Sequence, residues 1–221
     1  MSSADLFDAE LPPDPLPVLG AWLDDAVEQL QPHNPTAMTL ATVDEQGQPR
    51  ARMVICRGYD ADAGWLVFYT DRSSPKGREL ARTPRASLVF YWEPLQRQVR
   101  IDGPVDDAAE AQSDAYFASR PAGAQLAAWA SEQSQPLADR ATLERRYEQE
   151  LQRFGLHSDG GGPAEVPRPE RWGGYRVWIE RLEFWVGRTH RLHDRALYTR
   201  ELEPAGAAWK GGAWQVTRLQ P

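Results

Sequence analysis

Five short β-rich runs between Ala37 and Val105 constrain the fold more than any other feature of this chain: AMTLATV, RARMVICRGY, WLVFYT, ASLVFYW and RQVRIDGPV. They are rich in β-branched and aromatic residues, and turn-forming stretches such as DEQGQ and DADAG separate them, which is the pattern of strands joined by short connections. One short helical pattern alone interrupts them. Without long intervening helices the strands pair antiparallel, and their regular spacing favours a barrel or sandwich over a doubly wound sheet.

The flanks supply helices and closing strands. Leu16 to Leu30 places Leu19, Trp22, Leu23, Val27 and Leu30 on one stripe with Asp24, Asp25 and Glu28 opposite, an amphipathic helix. Residues 106–154 read as two or three helices broken at Arg120-Pro121 and Gln135-Pro136. Residues 155–171, with GLHSDGGGPAEVPRP, have the composition of a flexible loop. Gly174 to Trp185, Arg191 to Tyr198 and Trp214 to Leu219 are expected as closing strands that need the earlier ones to bury their apolar faces. The chain 1–221 is therefore expected to be a single domain with a mobile lead at 1–14.

Charge and motifs exclude several functions. The net charge is 25 − 32 = −7, whereas a diffuse phosphate-binding surface for nucleic acid needs a basic excess. No apolar run approaches the roughly 20 residues of a membrane span. The acidic N-terminus lacks the pattern of a secretory signal, so a cytoplasmic location is expected. The single cysteine, Cys56, lies in the apolar run VIC, where an inert buried thiol is expected. There is no GxSxG, GxxxxGK[ST], HExxH or GxGxxG motif, and His190 and His193 lack the carboxylates or thiols that would complete a metal site.

Two segments carry chemistry. In Ser73-Ser74-Pro75-Lys76-Gly77-Arg78-Glu79-Leu80, Ser74 suits an N-cap and Pro75 the first helical position. Lys76 then falls in the first turn, where the helix dipole opposes a cation unless an anion such as phosphate sits beside it; a solvated surface lysine is the alternative. In His190-Arg191-Leu192-His193-Asp194-Arg195, a strand would align Arg191, His193 and Arg195 on one face. That arrangement suits an anionic partner, the alternative being a charged edge strand that resists pairing.

The chain resembles the pyridoxamine 5′-phosphate oxidase family over nearly its whole length, through AMTLATVDEQGQPRARMV, VFYT, RQVRIDG, YFASRP, WASEQS, WGGYRV, EFW and RLHDR. The resemblance implies a mainly β protein with peripheral helices: an FMN-binding split β-barrel of Greek-key antiparallel type, working as a homodimer. It implies FMN contacts from Arg52, Met53, Val54 and Ile55 along the flavin, from Tyr69, Thr70, Lys76 and Gln98, and from Gln133, Ser134, Trp185 and Arg195, with Lys76 near the phosphate. Tyr116, Arg120 and Arg57 are implied to bind the substrate phosphate, and Arg191 and His193 to lie over the reacting end. The reaction so implied passes a hydride from the substrate's C4′ carbon to the flavin. Molecular oxygen takes the electrons to give hydrogen peroxide, and pyridoxal 5′-phosphate forms, with ammonia released when the substrate is the amine.

The chain departs from the family pattern at four places. Arg57 stands for a lysine, Pro75 for an arginine beside the flavin phosphate and Ala124 for a serine on the substrate phosphate, while the acidic SADLFDAELPP replaces a basic N-terminal lid. Arg57 keeps the charge with a different donor geometry; Pro75 and Ala124 supply no donor. Two other readings share the resemblance. One is an oxidase of this fold acting elsewhere, like the tailoring flavoenzymes of phenazine biosynthesis; the other is a split barrel that only binds flavin or haem.

Overall fold

The computed structural model describes residues 10–30, 34–156, 165–206 and 208–221. Most of the expected lead, and residues 157–164 of the expected 155–171 loop, fall outside these residues. The elements run α1 (Leu16–Gln29), β1 (Ala37–Val43), β2 (Pro49–Ile55), β3 (Gly58–Asp60), β4 (Trp65–Asp71), α2 (Pro75–Arg82), β5 (Arg85–Trp92) and β6 (Arg97–Asp107). They continue with α3 (Glu110–Ala118), α4 (Ala122–Ala130), α5 (Arg140–Arg153), β7 (Trp172–Trp178) and β8 (Arg181–Val186). The chain closes with β9 (Asp194–Thr199), β10 (Leu202–Ala205), β11 (Ala208–Gly211) and β12 (Gln215–Leu219). The five expected runs become β1 to β6, RARMVICRGY breaking into β2 and β3. The closing segment Gly174 to Trp185 is two strands, and the β10–β11 hairpin was not anticipated.

The strands order as β12-β9-β8-β6-β5-β1-β2, with β3 on β4, β4 on β7 and β7 on β6. Every pairing with a resolved register is antiparallel. Chain contacts divide the protein into two units: Met1–Phe68, Thr83–Asp106 and Arg176–Pro221 form the first, Tyr69–Arg82 and Asp107–Tyr175 the second.

In the first unit, alternation along each strand sends one set of side chains inward. Met38 and Leu40 of β1, Leu88 and Phe90 of β5, Val99 and Ile101 of β6, and Leu182 and Phe184 of β8 are fully buried. Helix α1 packs Leu19 and Trp22 into the core, the Trp22 ring lying 4.9 Å from Phe184 edge to face. Each such side chain contributes about 1.5–3 kcal/mol on burial. Val27, expected on the same stripe, is 41% exposed, because the buried stripe runs through Leu19, Leu23 and Ala26 and leaves Val27 beside it. Asp25, expected in solvent, instead pairs with the buried Arg97 at 2.7 Å, and that guanidinium lies 4.7 Å from the Trp22 ring centroid. Gly103 of β6 runs so close to the Trp178 carbonyl that any Cβ would overlap it.

The second unit has its own core of Phe117, Leu126, Leu156, Val166 and Trp172. Asp139 caps α5 by accepting from the Thr142 hydroxyl and the Thr142 N–H, each at 2.7 Å, and these two bonds, the hydroxyl's first, draw its carboxyl below the usual range. Among the described residues no helix is long and apolar enough to cross a membrane.

Candidate active site

Within the second unit, Ser74 and Pro75 open α2 as the sequence pattern requires: the Ser74 hydroxyl accepts from the Gly77 N–H at 3.4 Å. Gly77 sits so close to the Arg72 carbonyl that a Cβ would overlap it, so the first turn packs tightly. Lys76 is therefore turned inward and is 8% exposed, which sets aside the solvated alternative. Its ammonium donates to Gln133 Oε1 at 2.6 Å, Thr70 Oγ1 at 3.1 Å and Ser74 Oγ at 3.2 Å. Thr70 also donates to Gln133 Oε1 at 2.9 Å. None of these three oxygens carries a charge. Such a donor set suits a phosphate, whose charge offsets the desolvation of the ammonium. Ser134 follows in the turn after α4 with φ 67°, a left-handed residue beside Gln133.

The same unit brings Tyr69, Tyr116 and Arg120 together around Trp172. Tyr69 stacks on Tyr116 at 4.1 Å between centroids and on Trp172 at 5.4 Å. The Arg120 guanidinium lies 4.9 Å from the Trp172 centroid and 5.4 Å from that of Phe117, a cation–π seat that limits its motion. Burial, and secondarily the neighbouring Tyr116, raise the Tyr69 hydroxyl above its ordinary value, so it stays a donor at neutral pH. A cleft of about 750 Å³ is lined by Phe117, Arg120, Gln125, Leu156, Val166 and Arg168. Arg168 is ion-paired to Asp114 at 2.7 Å and to Glu110. Gln125 is buried and donates to the carbonyls of Ala118 and Arg120 at 3.1 and 2.8 Å, fixing the turn that carries Arg120. Ala124, on the first turn of α4, offers no side-chain donor.

Within the first unit the register aligns Tyr91, Gln98, Trp185, Arg195 and Leu219 as one row across β5, β6, β8, β9 and β12. Met53 pairs with Thr39 and Thr39 with Val89, and Val89, Arg100, Glu183 and Leu197 form the adjacent row on that face. Four of the predicted residues thus share a sheet face: Met53, Gln98, Trp185 and Arg195. By the same alternation Ile55 joins them, while Arg52 and Val54 face the other way, Arg52 donating to Thr42 Oγ1. Arg195 is held by Glu183 Oε1, at 2.9 Å from Nε and 2.8 Å from Nη2, and by the Gln220 carbonyl at 3.0 Å. Arg57 stands exposed between β2 and β3. Cys56 beside it is buried, and burial pushes its thiol up to about 11, an inert state at neutral pH.

The expected strand from Arg191 to Tyr198 is shorter than anticipated: β9 begins at Asp194. Arg191 and His193 lie in and after a single 3₁₀ turn, with His190 at φ 58° and Arg191 at φ 61°. A left-handed non-glycine residue costs about 1–2 kcal/mol, and such a backbone interrupts any strand. Arg191, His193 and Arg195 therefore do not align by strand alternation. His193 packs 4.6 Å from the Trp185 ring instead, and its Nδ1 accepts from the Arg188 N–H at 3.1 Å.

Sequence reasoning gave no role to Glu183, Gln125, Trp172 and Asp194, and none to Arg188 beyond its place in the basic cluster with His190, Arg191, His193 and Arg195. Glu183 was within reach, since it lies two residues from Trp185 and shares its face by simple alternation. Trp172 acts through contacts distant in sequence, whereas Gln125, Arg188 and Asp194 bond across nearby turns whose geometry the residue types do not announce. Among the described residues no cluster of His, Cys, Asp and Glu is placed to hold a metal.

The antiparallel strand order with peripheral helices defines a split-barrel protein with a buried lysine and a basic C-terminal turn. A solved structure of PhzG from Burkholderia lata, in complex with tetrahydrophenazine-1-carboxylic acid, superposes with a TM-score of 0.82 at 30% identity, covering 98% of this chain and 96% of that one. A pyridoxamine 5′-phosphate oxidase-related, FMN-binding protein from Nostoc punctiforme shares the fold, with a TM-score of 0.68 at 17% identity over 96% and 100% of the two chains. Residues 23–154 match the family model described as pyridoxamine 5′-phosphate oxidase. Residues 172–221 match the pyridoxine 5′-phosphate oxidase C-terminal dimerisation region. Pyridoxine/pyridoxamine 5′-phosphate oxidases of Burkholderia mallei and Burkholderia thailandensis are each 46% identical over 220 residues, covering 100% of this chain and 95% of theirs. The chain belongs to the pyridoxamine 5′-phosphate oxidase family.

Proposed function

We propose that this chain is an FMN-dependent oxidase that converts pyridoxamine 5′-phosphate and pyridoxine 5′-phosphate to pyridoxal 5′-phosphate, with molecular oxygen as acceptor and hydrogen peroxide as product. It works in the cytoplasm as a homodimer. The observation that carries the cofactor assignment is the buried Lys76 ammonium bonded to three neutral oxygens, a donor set suited to the FMN phosphate. Bound FMN supplies a hydride acceptor that oxygen can regenerate.

The chain's own residues bind and orient. Lys76, Thr70, Tyr69, Gln133 and Ser134 are assigned to the cofactor, with Lys76 at its phosphate. Met53, Ile55, Gln98, Trp185 and Arg195, which share a sheet face, and Arg52 and Val54 beside them in sequence are assigned to it as well. Arg120, Tyr116 and Arg57 anchor the substrate phosphate, with Arg120 immobilised over Trp172. Arg191 and His193 orient the reacting end. The relatives at 46% identity favour the vitamer substrates over the phenazine precursor bound by the relative at 30%. The homodimer reading is supported by the matched dimerisation region and by the open sheet face on which Met53 is 63% and Tyr91 55% exposed.

The test mixes purified protein with FMN and pyridoxamine 5′-phosphate in air and follows pyridoxal 5′-phosphate and peroxide together. Equal amounts of both are expected. A bound chromophore without peroxide would leave only a binding protein, and a monomer in light scattering that still binds FMN tightly would refute the homodimer.

A further inference from the structure

The turn that carries Arg191 and His193 is held by bonds that also decide the state of the imidazole. The Gly187 N–H donates to the Gln96 carbonyl at 2.8 Å, and the Leu192 N–H to the Thr189 carbonyl at 3.2 Å. Arg188 Nε donates to Asp194 Oδ2 at 2.6 Å, spanning the turn with an ion pair. With its side chain so anchored, Arg188 presents its backbone N–H to His193 Nδ1 at 3.1 Å. The Trp185 ring, 4.6 Å from the imidazole centroid at 41°, packs against it. These contacts hold together a segment with two successive left-handed residues, His190 and Arg191, a conformation that persists only where its surroundings over-determine it.

A donated N–H requires a lone pair on the acceptor. Nδ1 of His193 therefore carries no proton, and in the neutral ring the proton resides on Nε2. Such a ring has one donor, Nε2–H, and its one acceptor is already engaged. It can take a second proton only at Nδ1, by giving up the Arg188 bond.

We infer that Arg188, through its backbone amide and its ion pair with Asp194, is a positioning residue that sets His193 in the Nε2–H form, so that His193 serves as a hydrogen-bond donor to an electron-rich substrate atom and not as the base of the reaction. The assignment of the ring's form stands on the geometry alone, while its use on substrate rests on the oxidase reading above. In that reading the substrate carbon loses a hydride to the cofactor, and the proton leaving the substrate's nitrogen or oxygen passes to water.

The test is a long-range ¹H–¹⁵N correlation spectrum of the full chain at about two pH units above the ordinary imidazole value of about 6.5. His193 is assigned by the signal missing from His193→Gln. Nδ1 should read as an unprotonated, pyridine-type nitrogen and Nε2 as a protonated, pyrrole-type one; the reverse pattern overturns the inference. In Arg188→Ala and Asp194→Ala the two nitrogens should move towards averaged values, a change that a purely structural role elsewhere would not produce. An unaltered pattern in both variants removes Arg188 as the positioning residue. In turnover, His193→Gln keeps an N–H donor but cannot take a proton, and should retain at least about tenfold more kcat than His193→Ala; equal losses refute the donor role. If the wild type oxidises neither vitamer, the oxidase reading fails and the donor role with it, while the ring's form is still judged by the spectrum.

Discussion

Replacing Lys76 by Met separates what this residue does for the fold from what it does for the cofactor. The side chain is 8% exposed and its ammonium bonds to Gln133, Thr70 and Ser74. Methionine fills the same volume without charge. In the protein without FMN two terms oppose each other: the desolvation of a buried ammonium is relieved, and its hydrogen bonds to three neutral oxygens are lost. The Tm of the FMN-free protein should therefore move by only about 2 °C. With FMN the balance changes, because a charge-assisted bond to phosphate is worth about 1.5–3 kcal/mol, or roughly ten- to a hundredfold in affinity. At an FMN concentration about 1,000 times the wild-type Kd, ligand binding stabilises the wild type by about 4.1 kcal/mol and the variant by about 1.4 to 2.7 kcal/mol. For a chain of this size 1 kcal/mol corresponds to about 2 °C. Scanning calorimetry with and without FMN should thus show a rise of about 8 °C in the wild type and about 3 to 5 °C in Lys76→Met. Equal increments in the two proteins would refute the assignment of Lys76 to the phosphate.

Arg120→Ala should raise KM for pyridoxamine 5′-phosphate by about ten- to a hundredfold with little change in kcat; steady-state kinetics with unphosphorylated pyridoxamine as control should show a poor rate that the substitution scarcely alters. Asp25→Ala leaves the Arg97 guanidinium, 6% exposed in its side chain, without its carboxylate, and should cost about 3 kcal/mol in urea unfolding, since a stranded buried charge is expensive; a loss under about 1 kcal/mol would show that water reaches Arg97. Burial raises the Cys56 thiol from 9.0 to about 11, so the folded protein keeps a proton that the unfolded chain releases in that range. The stability this confers is fully present below pH 9 and is lost as pH rises towards 11; unfolding across that window should show the wild type losing stability relative to Cys56→Ala, and parallel profiles would contradict the burial argument.

The residues settle the strand pattern of this chain by themselves, because runs rich in β-branched and aromatic residues such as AMTLATV and ASLVFYW are bounded by turn-forming stretches, both legible without reference to their partners. They also settle the start of α2, since Ser74 and Pro75 satisfy or remove backbone donors locally. The family motifs point to the site residues for a related reason: each is a short string whose chemistry can be read in place. What the string cannot hold is the environment of each side chain. Lys76 reads as a solvated surface lysine or as a cation beside a phosphate until the fold buries it. The basic turn reads as a strand until two left-handed residues break it, and left-handed backbone at His190 and Arg191 has no signature in residue type. Asp25 reads as solvent-facing until Arg97, distant in sequence, arrives beside it. Periodicity and capping depend on neighbours a few residues away and so are written along the chain. Burial, ion pairing and the protonation state of a ring depend on groups brought close only when the sheet has formed, and those the tertiary structure alone decided.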